Sequence, residues 1–330
     1  MSPRKHWMPA VAMAAALVLA AGCGSGTDGS GGSAKTRTFA ADNGSITIPA
    51  DPERVVATGY AVPVLIEADA ALVGISSWKR GLPVMTAEDR ATYDQLDKIA
   101  GETAAETNYE AIAKAKPDLI VIGVPKPVLG DLDMNRLKSI APVVAIGPSL
   151  PSAWRDLSRR QSDAAGRLAN FETRKATYEK KAAEVKGKYE DALAGLKFGH
   201  VGGYGEASSG TFQREFPGSW GTNIATDAGV TYYGEVKKKA GGSGDVSETP
   251  SIEELPESLG EADVITYTLQ PDGTPGESVK YVLDSKLWKN LPAVKAGKAY
   301  GLRYTEAATY ASAIKTLEAL DQALAPLLAQ

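Results

Sequence analysis

Cysteine occurs once in this chain of 330 residues, at Cys23, and histidine twice, at His6 and His200. A single thiol closes no intramolecular disulfide, so stability must come from a buried core. A transition-metal site made by the protein alone wants several His, Cys or carboxylate donors at workable spacing, and no such motif is present. The 36 basic and 40 acidic residues are mixed along the chain, for a net charge of −4. No Lys/Arg stripe with interleaved aromatics appears, which speaks against a nucleic-acid partner. The run Lys237-Lys238-Lys239 beside Ala240-Gly241-Gly242 reads as a solvated loop. Catalytic signatures are missing too: there is no Gly-x-Ser-x-Gly elbow and no His-Glu-x-x-His helix. Gly203-Tyr204-Gly205-Glu206-Ala207-Ser208 is half a dinucleotide fingerprint without its third glycine. The expectation is a protein with no catalytic residues and no directly bound metal.

What is present begins at the N-terminus. Arg4 and Lys5 precede an uncharged apolar run over residues 8–21, the pattern of a secretory signal peptide. The run is too short to span a bilayer as a mature helix. Leu19-Ala20-Ala21-Gly22-Cys23 resembles the bacterial lipoprotein signal, in which the cysteine takes a diacylglycerol and becomes the new N-terminus; Ala20 stands where that motif more often has leucine. Two or more acyl chains, at ~0.8 kcal/mol per buried CH₂, hold a protein on a membrane where one does not. The alternative is plain secretion with a cysteine at the cleavage site. Residues 24–33 (GSGTDGSGGS) read as a flexible leash.

The body, 43% hydrophobic and 23% charged over the whole chain, has the composition of a globular protein and is long enough for two lobes. Arg54-Val55-Val56-Ala57-Thr58, Ala71-Leu72-Val73-Gly74-Ile75, Asp118-Leu119-Ile120-Val121-Ile122 and Pro142-Val143-Val144-Ala145-Ile146 are strand candidates. Helical patterns lie between them at 64–70, 87–96 and 109–115. Continuous apolar strands alternating with helices predict a mainly parallel sheet covered on both faces. From 152 to 193 apolar residues recur at helical spacing in a charged background. The reading is two helices breaking near Ala169-Asn170, the second a polar strut between lobes. Strands resume at 198–201, 263–267 and 298–302, and an amphipathic helix over 307–328 closes the chain. A faint echo links Asn108-Tyr109-Glu110-Ala111-Ile112 with Ser251-Ile252-Glu253-Glu254-Leu255. Each opens on an N-cap residue, Ser251 and Glu254 forming a capping box, and each leads into an Asp-plus-apolar strand. Duplicated lobes would produce that echo.

These segments together resemble the substrate-binding lipoproteins of bacterial ABC importers for ferric siderophores, a clan that also binds cobalamin and haem. The marks are Pro52-Glu53-Arg54-Val55-Val56, Gly74-Ile75, the 108–121 segment, LKSIAPVV at 137–144, the charged strut and LWKNLPAVKAGKAY at 287–300. The resemblance implies two Rossmann-like lobes joined by a single long α-helix, the class III periplasmic-binding-protein fold, with the ligand held between them. It divides the chain into a signal peptide (1–22), a lipidated Cys23 with tether (23–45), an N-lobe (46–168), a bridging helix (169–195) and a C-lobe (196–330). It implies a monomer, lipid-anchored at the extracytoplasmic face of the cell membrane, that delivers its cargo to an ABC permease dimer. Glu110 and Glu253 match the glutamates that dock each lobe on the permease, with Glu254 a fallback for the second.

Iron would then arrive as Fe(III) inside a chelator, with no cofactor bound directly. His200, on a strand, reads as a packed residue rather than a ligand. A bulky ferric hydroxamate needs flat aromatic walls and a few donors, placed on loops after strand C-terminal ends. Those loops carry Tyr60, Trp78, Arg80 and Lys126 in the N-lobe, and Tyr204, Phe212, Arg214, Trp220, Arg303 and Tyr304 in the C-lobe. Arg80 and Arg303 suit hydroxamate oxygens. Ferrichrome-binding relatives place an arginine before the Glu-Pro-Asn segment, but residues 101–108 here (GETAAETN) hold none. The inventory, richer in aromatics than in cations, favours hydroxamates such as ferrioxamines over polyanionic catecholates. A ferrioxamine ammonium suits an aromatic face. Cobalamin or haem in the same fold, and more remotely a surface-anchored enzyme, are the competing readings.

Overall fold

The computed structural model describes residues 35–329; the leader, Cys23 and the glycine-serine stretch lie outside them. Strands β1 (Thr36–Ala41) and β2 (Gly44–Pro49) form an antiparallel hairpin. A first five-stranded sheet holds β3 (Val55–Gly59), β4 (Leu72–Ser76), β5 (Lys98–Ala100), β6 (Leu119–Gly123) and β7 (Val143–Ala145). Its order is β5-β4-β3-β6-β7, parallel throughout. The second holds β8 (Phe198–Gly202), β9 (Gln213–Glu215), β10 (Ser247–Glu248), β11 (Val264–Thr268) and β12 (Ala299–Leu302), ordered β10-β9-β8-β11-β12. Here β8, β11 and β12 are parallel, while β9 pairs antiparallel with β8 and β10. Val55, Val56, Leu119 and Ile120 are fully buried, as a central strand covered on both faces requires.

The internal echo corresponds to equivalent places in the two sheets. Before β6, the Asp118 carboxylate accepts the N–H groups of Glu53 (2.8 Å) and Arg54 (3.0 Å) at the entry to β3. Before β11, Asp263 accepts the N–H of Lys197 (2.8 Å) at the entry to β8. Each carboxylate fixes the start of the first strand of its five-stranded sheet beside its neighbour. Asn108 caps the helix Tyr109–Ala115 through the Ala111 N–H, 3.0 Å away. Ser251 bonds the N–H of Glu253 (3.3 Å), opening a 3₁₀ turn before the helix Leu255–Leu259.

The chain leaves the N-lobe through the helix Trp154–Ala164, whose Leu157 and Ala164 pack in that lobe's core, and crosses in the long helix Leu168–Leu193. They break at 165–167, ahead of the expected position, because Gly166 takes a φ of +70° that other residues rarely adopt. The second helix, 26 residues, is about 39 Å long at 1.5 Å per residue. At its start Asn170 bonds the Ala68 carbonyl (2.9 Å) of the N-lobe. Beyond that, Phe171, Tyr178, Ala182, Val185, Tyr189 and Leu193 are buried in one cluster with the closing helix Tyr310–Leu324. The strut is therefore also part of the C-lobe core. Its mean polarity conceals a narrow apolar stripe at spacings of three, four and seven residues.

The lobe also begins earlier than the sequence suggests. Residues 36–41, expected in the tether, are strand β1. Phe39 and Ile48 of the hairpin are buried, the Asp42 N–H bonds the Ala145 carbonyl (2.8 Å), and Asn43 bonds the Val143 carbonyl and the Ala145 N–H (3.0 Å each). The signal was there: Asn43-Gly44 between alternating residues is a strong hairpin cue, and Gly44 has φ +117°.

Candidate ligand-binding cleft

The N-lobe wall grows from the C-terminal ends of β3 and β4. Gly59 (φ +60°) brings β3 so close to β6 that a Cβ would lie 2.6 Å from the Gly123 carbonyl oxygen. This tight exit delivers Tyr60 to the start of the helix Ala61–Glu67. Trp78 follows β4, its N–H bonded to the Tyr93 hydroxyl at 3.0 Å. The Tyr60 and Trp78 rings meet edge to face, 4.8 Å between centroids. The Arg80 guanidinium lies over both, 4.6 Å from the Tyr60 ring and 4.2 Å from the Trp78 ring. Gly81 permits this stack, since a Cβ there would sit 1.9 Å from the indole nitrogen.

The facing C-lobe wall holds Tyr204, 59% exposed, after β8, and Trp220 at the first position of the helix Trp220–Asp227. The Tyr204 N–H bonds Gln213 Oε1 at 2.9 Å, and its hydroxyl donates to Glu306 at 2.5 Å. A buried polar layer supports Trp220 from below. The Glu215 carboxylate accepts the Gly221 N–H at 2.6 Å, and burial pushes its pKa up to about 7. His200 is fully buried, with Nδ1 2.8 Å from Thr266 Oγ1 and Nε2 3.1 Å from Thr268 Oγ1. Burial, then the Arg214 charge, hold its pKa down to about 3, so the imidazole is neutral and its 3.8 Å approach to Glu215 is no ion pair.

Between the walls lie two adjoining cavities. One of about 330 Å³ is lined by Tyr60, Trp78, Arg80, Tyr204, Trp220 and Glu306, among others. The other, about 250 Å³, shares Arg80, Tyr204 and Glu306 and adds Tyr304, whose φ is +61°.

Four of the expected wall residues lie elsewhere. Phe212 is fully buried among Leu255, Ile265 and Trp288. Arg214 is 1% exposed and donates to the carbonyls of Glu215 (2.5 Å), Tyr233 (3.0 Å) and Ser258 (3.3 Å). In place of the expected loop, Arg214 lies in β9 and Phe212 directly precedes it, its N–H bonded to the Pro250 carbonyl at 3.0 Å, and both turn into the core. Lys126 is exposed on the turn Lys126–Asp131 and lines neither cavity. Nor does Arg303, which bonds Gln322 Oε1 (3.3 Å) and lies over the Tyr304 ring at 5.4 Å. The sequence reading missed Glu306 and Gln213. Glu306 could have been found, since it sits in the same loop after β12 as Tyr304. Glu110 is exposed, 3.8 Å from Arg136, and Glu253 is exposed; Glu254 is engaged by Lys237 at 2.8 Å. Among the described residues no group of three or more His, Cys, Asp or Glu is disposed to hold a metal ion, and no helix is long and apolar enough to cross a membrane.

Two α/β lobes on one long helix, with a cleft at the strand C-termini, define a class III substrate-binding protein. The chain belongs to the periplasmic binding protein family, whose model matches residues 55–304, from the first residue of β3 to the cleft residue Tyr304. It is similar to the iron(3+)-hydroxamate-binding protein YxeB of Bacillus subtilis, 27% identical over 281 residues covering 84% of this chain and 81% of that protein. It is similar also to the probable siderophore-binding lipoprotein YfiY of the same organism, 29% identical over 312 residues and 90% of each chain. Among solved structures it matches the siderophore periplasmic binding protein from the fuscachelin gene cluster of Thermobifida fusca. That match has a TM-score of 0.66 and 30% identity, covering 84% of this chain and 98% of that one.

Proposed function

We propose that this protein captures a ferric hydroxamate siderophore, of the ferrioxamine type, between its lobes and delivers it to an ABC permease dimer for iron uptake. The supporting observation is the Tyr60–Trp78–Arg80 stack, which faces Tyr204 and Trp220 across one cavity. Flat aromatic faces cover the organic shell of a chelate, and Arg80 offers charge-assisted donors to hydroxamate oxygens. Each fully covered aromatic removes about 150–250 Å² from water, or roughly 4–6 kcal/mol gross. Association and ordering costs take back much of this, leaving enough for sub-micromolar binding by two or three such walls. The iron is cargo, held by its chelator. The similarity to a hydroxamate-binding relative supports the choice of cargo. In this reading Cys23 carries the lipid anchor on the extracytoplasmic face, and Glu110 and Glu253 meet the permease as one exposed carboxylate per lobe.

Two of the five tryptophans, Trp78 and Trp220, line the cleft, so intrinsic fluorescence reports its occupation. Titration with ferrioxamine, ferrichrome, a ferric catecholate, cobalamin and haem tests the proposal. Saturable quenching by the hydroxamates supports it; a response to cobalamin or haem alone rejects it.

A further inference from the structure

We propose that Glu306 sets the charge specificity of the cleft, selecting a ferric hydroxamate with a free ammonium arm over the same chelate with that arm acylated. The inference rests on the hydroxamate reading above and adds a residue and a ligand feature to it.

Glu306 stands where the two cavities join, lining both together with Arg80, Val84 and Tyr204. Its orientation is fixed: Oε1 accepts the Tyr204 hydroxyl at 2.5 Å. After burial it is Glu306 that raises the Tyr204 pKa. Among the described residues no Lys or Arg nitrogen lies within ion-pair distance of Glu306, although 15 such pairs occur elsewhere in the fold. Arg80 is the one cation lining either cavity, and it lies over the Tyr60 and Trp78 rings rather than against Glu306. Asp89 adds a second carboxylate to the first cavity, where it accepts the Thr86 hydroxyl at 2.7 Å.

Lining charge is therefore one positive against two negative, and the Glu306 charge faces the ligand space without a protein counter-ion. A polyanionic catecholate meets repulsion there. A cation placed between the cavities meets an oriented carboxylate, which is the condition for charge discrimination. The second cavity supplies the rest. Pro83, Leu269, Pro271 and Val279 line it, apolar side chains suited to the methylenes of an alkyl arm whose ammonium reaches back to Glu306.

The test uses the mature chain, tryptophan quenching and three probes: ferrioxamine B with its free ammonium, its N-acetyl derivative, and the cyclic ferrioxamine E. The parent protein should bind ferrioxamine B about two- to fivefold more tightly than the other two, the range of a partly screened charge pair. Raising the salt should shrink that preference. Glu306→Gln keeps an oxygen for the Tyr204 hydroxyl, so it should abolish the preference by weakening ferrioxamine B binding more than ferrioxamine E binding. Equal binding of all three probes by the parent, or an undiminished preference in Glu306→Gln, overturns this inference alone. Failure of all three to bind overturns the hydroxamate reading and this inference with it.

Discussion

Glu67 of the N-lobe caps a helix that belongs to the other lobe: its Oε2 accepts the N–H of Ala311, 2.9 Å away, in the first turn of Tyr310–Leu324. The carboxyl is 6% exposed, and Lys315 on the same helix reaches back to the Met85 carbonyl at 2.6 Å. The lobes are thus clasped directly as well as through the bridging helix, close to Thr309 and Ser312 on the cavity floor.

That clasp titrates. Burial pushes the Glu67 pKa from 4.5 up to about 7, against the Thr309 and Ala311 hydrogen bonds and the nearby Arg174, which lower it; Asp89 adds to the rise. Between those values the folded protein keeps a proton that the unfolded chain has lost, so stability falls as pH rises through the window. The shift corresponds to ~3 kcal/mol at full effect. Glu215 acts in the same sense, and His200, held down to about 3, in the opposite one: unfolding takes up its proton below the ordinary 6.5. Comparing Glu67→Gln with the parent isolates the one group. The variant's melting temperature relative to the parent should rise by about 5–8 °C between pH 4.5 and pH 8. A difference that stays constant across that range would refute this assignment.

Arg214 is expected to matter for folding and not for the ligand. Its guanidinium serves backbone carbonyls of β9, of Tyr233 and of Ser258, and it stacks on Phe216 at 4.7 Å. Arg214→Ala would leave those carbonyls buried without partners, a loss of roughly 3–5 kcal/mol. For a chain of this size the melting temperature should drop by about 6–10 °C. The affinity of the fraction that folds should match the parent in a fluorescence titration.

The same residue shows where sequence reading stops. Parallel strands such as β3 and β6 announce themselves as unbroken apolar runs, because both faces are covered. The strand β9 is three residues, Gln213-Arg214-Glu215, all polar and all buried. The Arg214 guanidinium is satisfied by the carbonyls of His200, Tyr233 and Ser258, 14 to 44 residues away in sequence, and no local pattern encodes such partners. Tyr60, Trp78 and Tyr204 were legible as cleft residues because they directly follow apolar strands. Glu306 was passed over because an acid in a loop is ordinarily solvated; its meaning depends on Tyr204, 102 residues away.

Trp220 and Arg303 should now part company. Trp220 lines the larger cavity, half-buried at the head of its helix, whereas Arg303 turns aside to Gln322. Trp220→Ala should weaken ferric hydroxamate binding at least about tenfold, since even a fraction of an aromatic's ~4–6 kcal/mol gross burial exceeds 1.4 kcal/mol. Arg303→Ala should change affinity less than about twofold, in keeping with a solvent-facing hydrogen bond. Equal losses in both variants would show that the cleft walls are drawn in the wrong place.

Docking, in contrast to capture, should depend on carboxylates remote from the cleft. Glu110 is 90% exposed in the first turn of its helix, held only loosely by Arg136 at 3.8 Å, and Glu253 is exposed in the turn that opens on Ser251. The helix dipole favours a carboxylate at each place, so conservation of fold alone would permit either residue without any partner. Transport separates the two roles. Glu110→Lys with Glu253→Lys should leave siderophore affinity within about twofold of the parent and folding stability within about 1–2 kcal/mol, the cost of two charges reversed at helix N-termini. Uptake of ⁵⁵Fe-siderophore by cells that carry only the double variant should fall at least about tenfold, because like charges across an interface cost affinity for the permease. Single reversals should each give a smaller loss. Full uptake by the double variant would remove both glutamates from the docking surface and leave Glu254, already paired with Lys237, as a poor substitute.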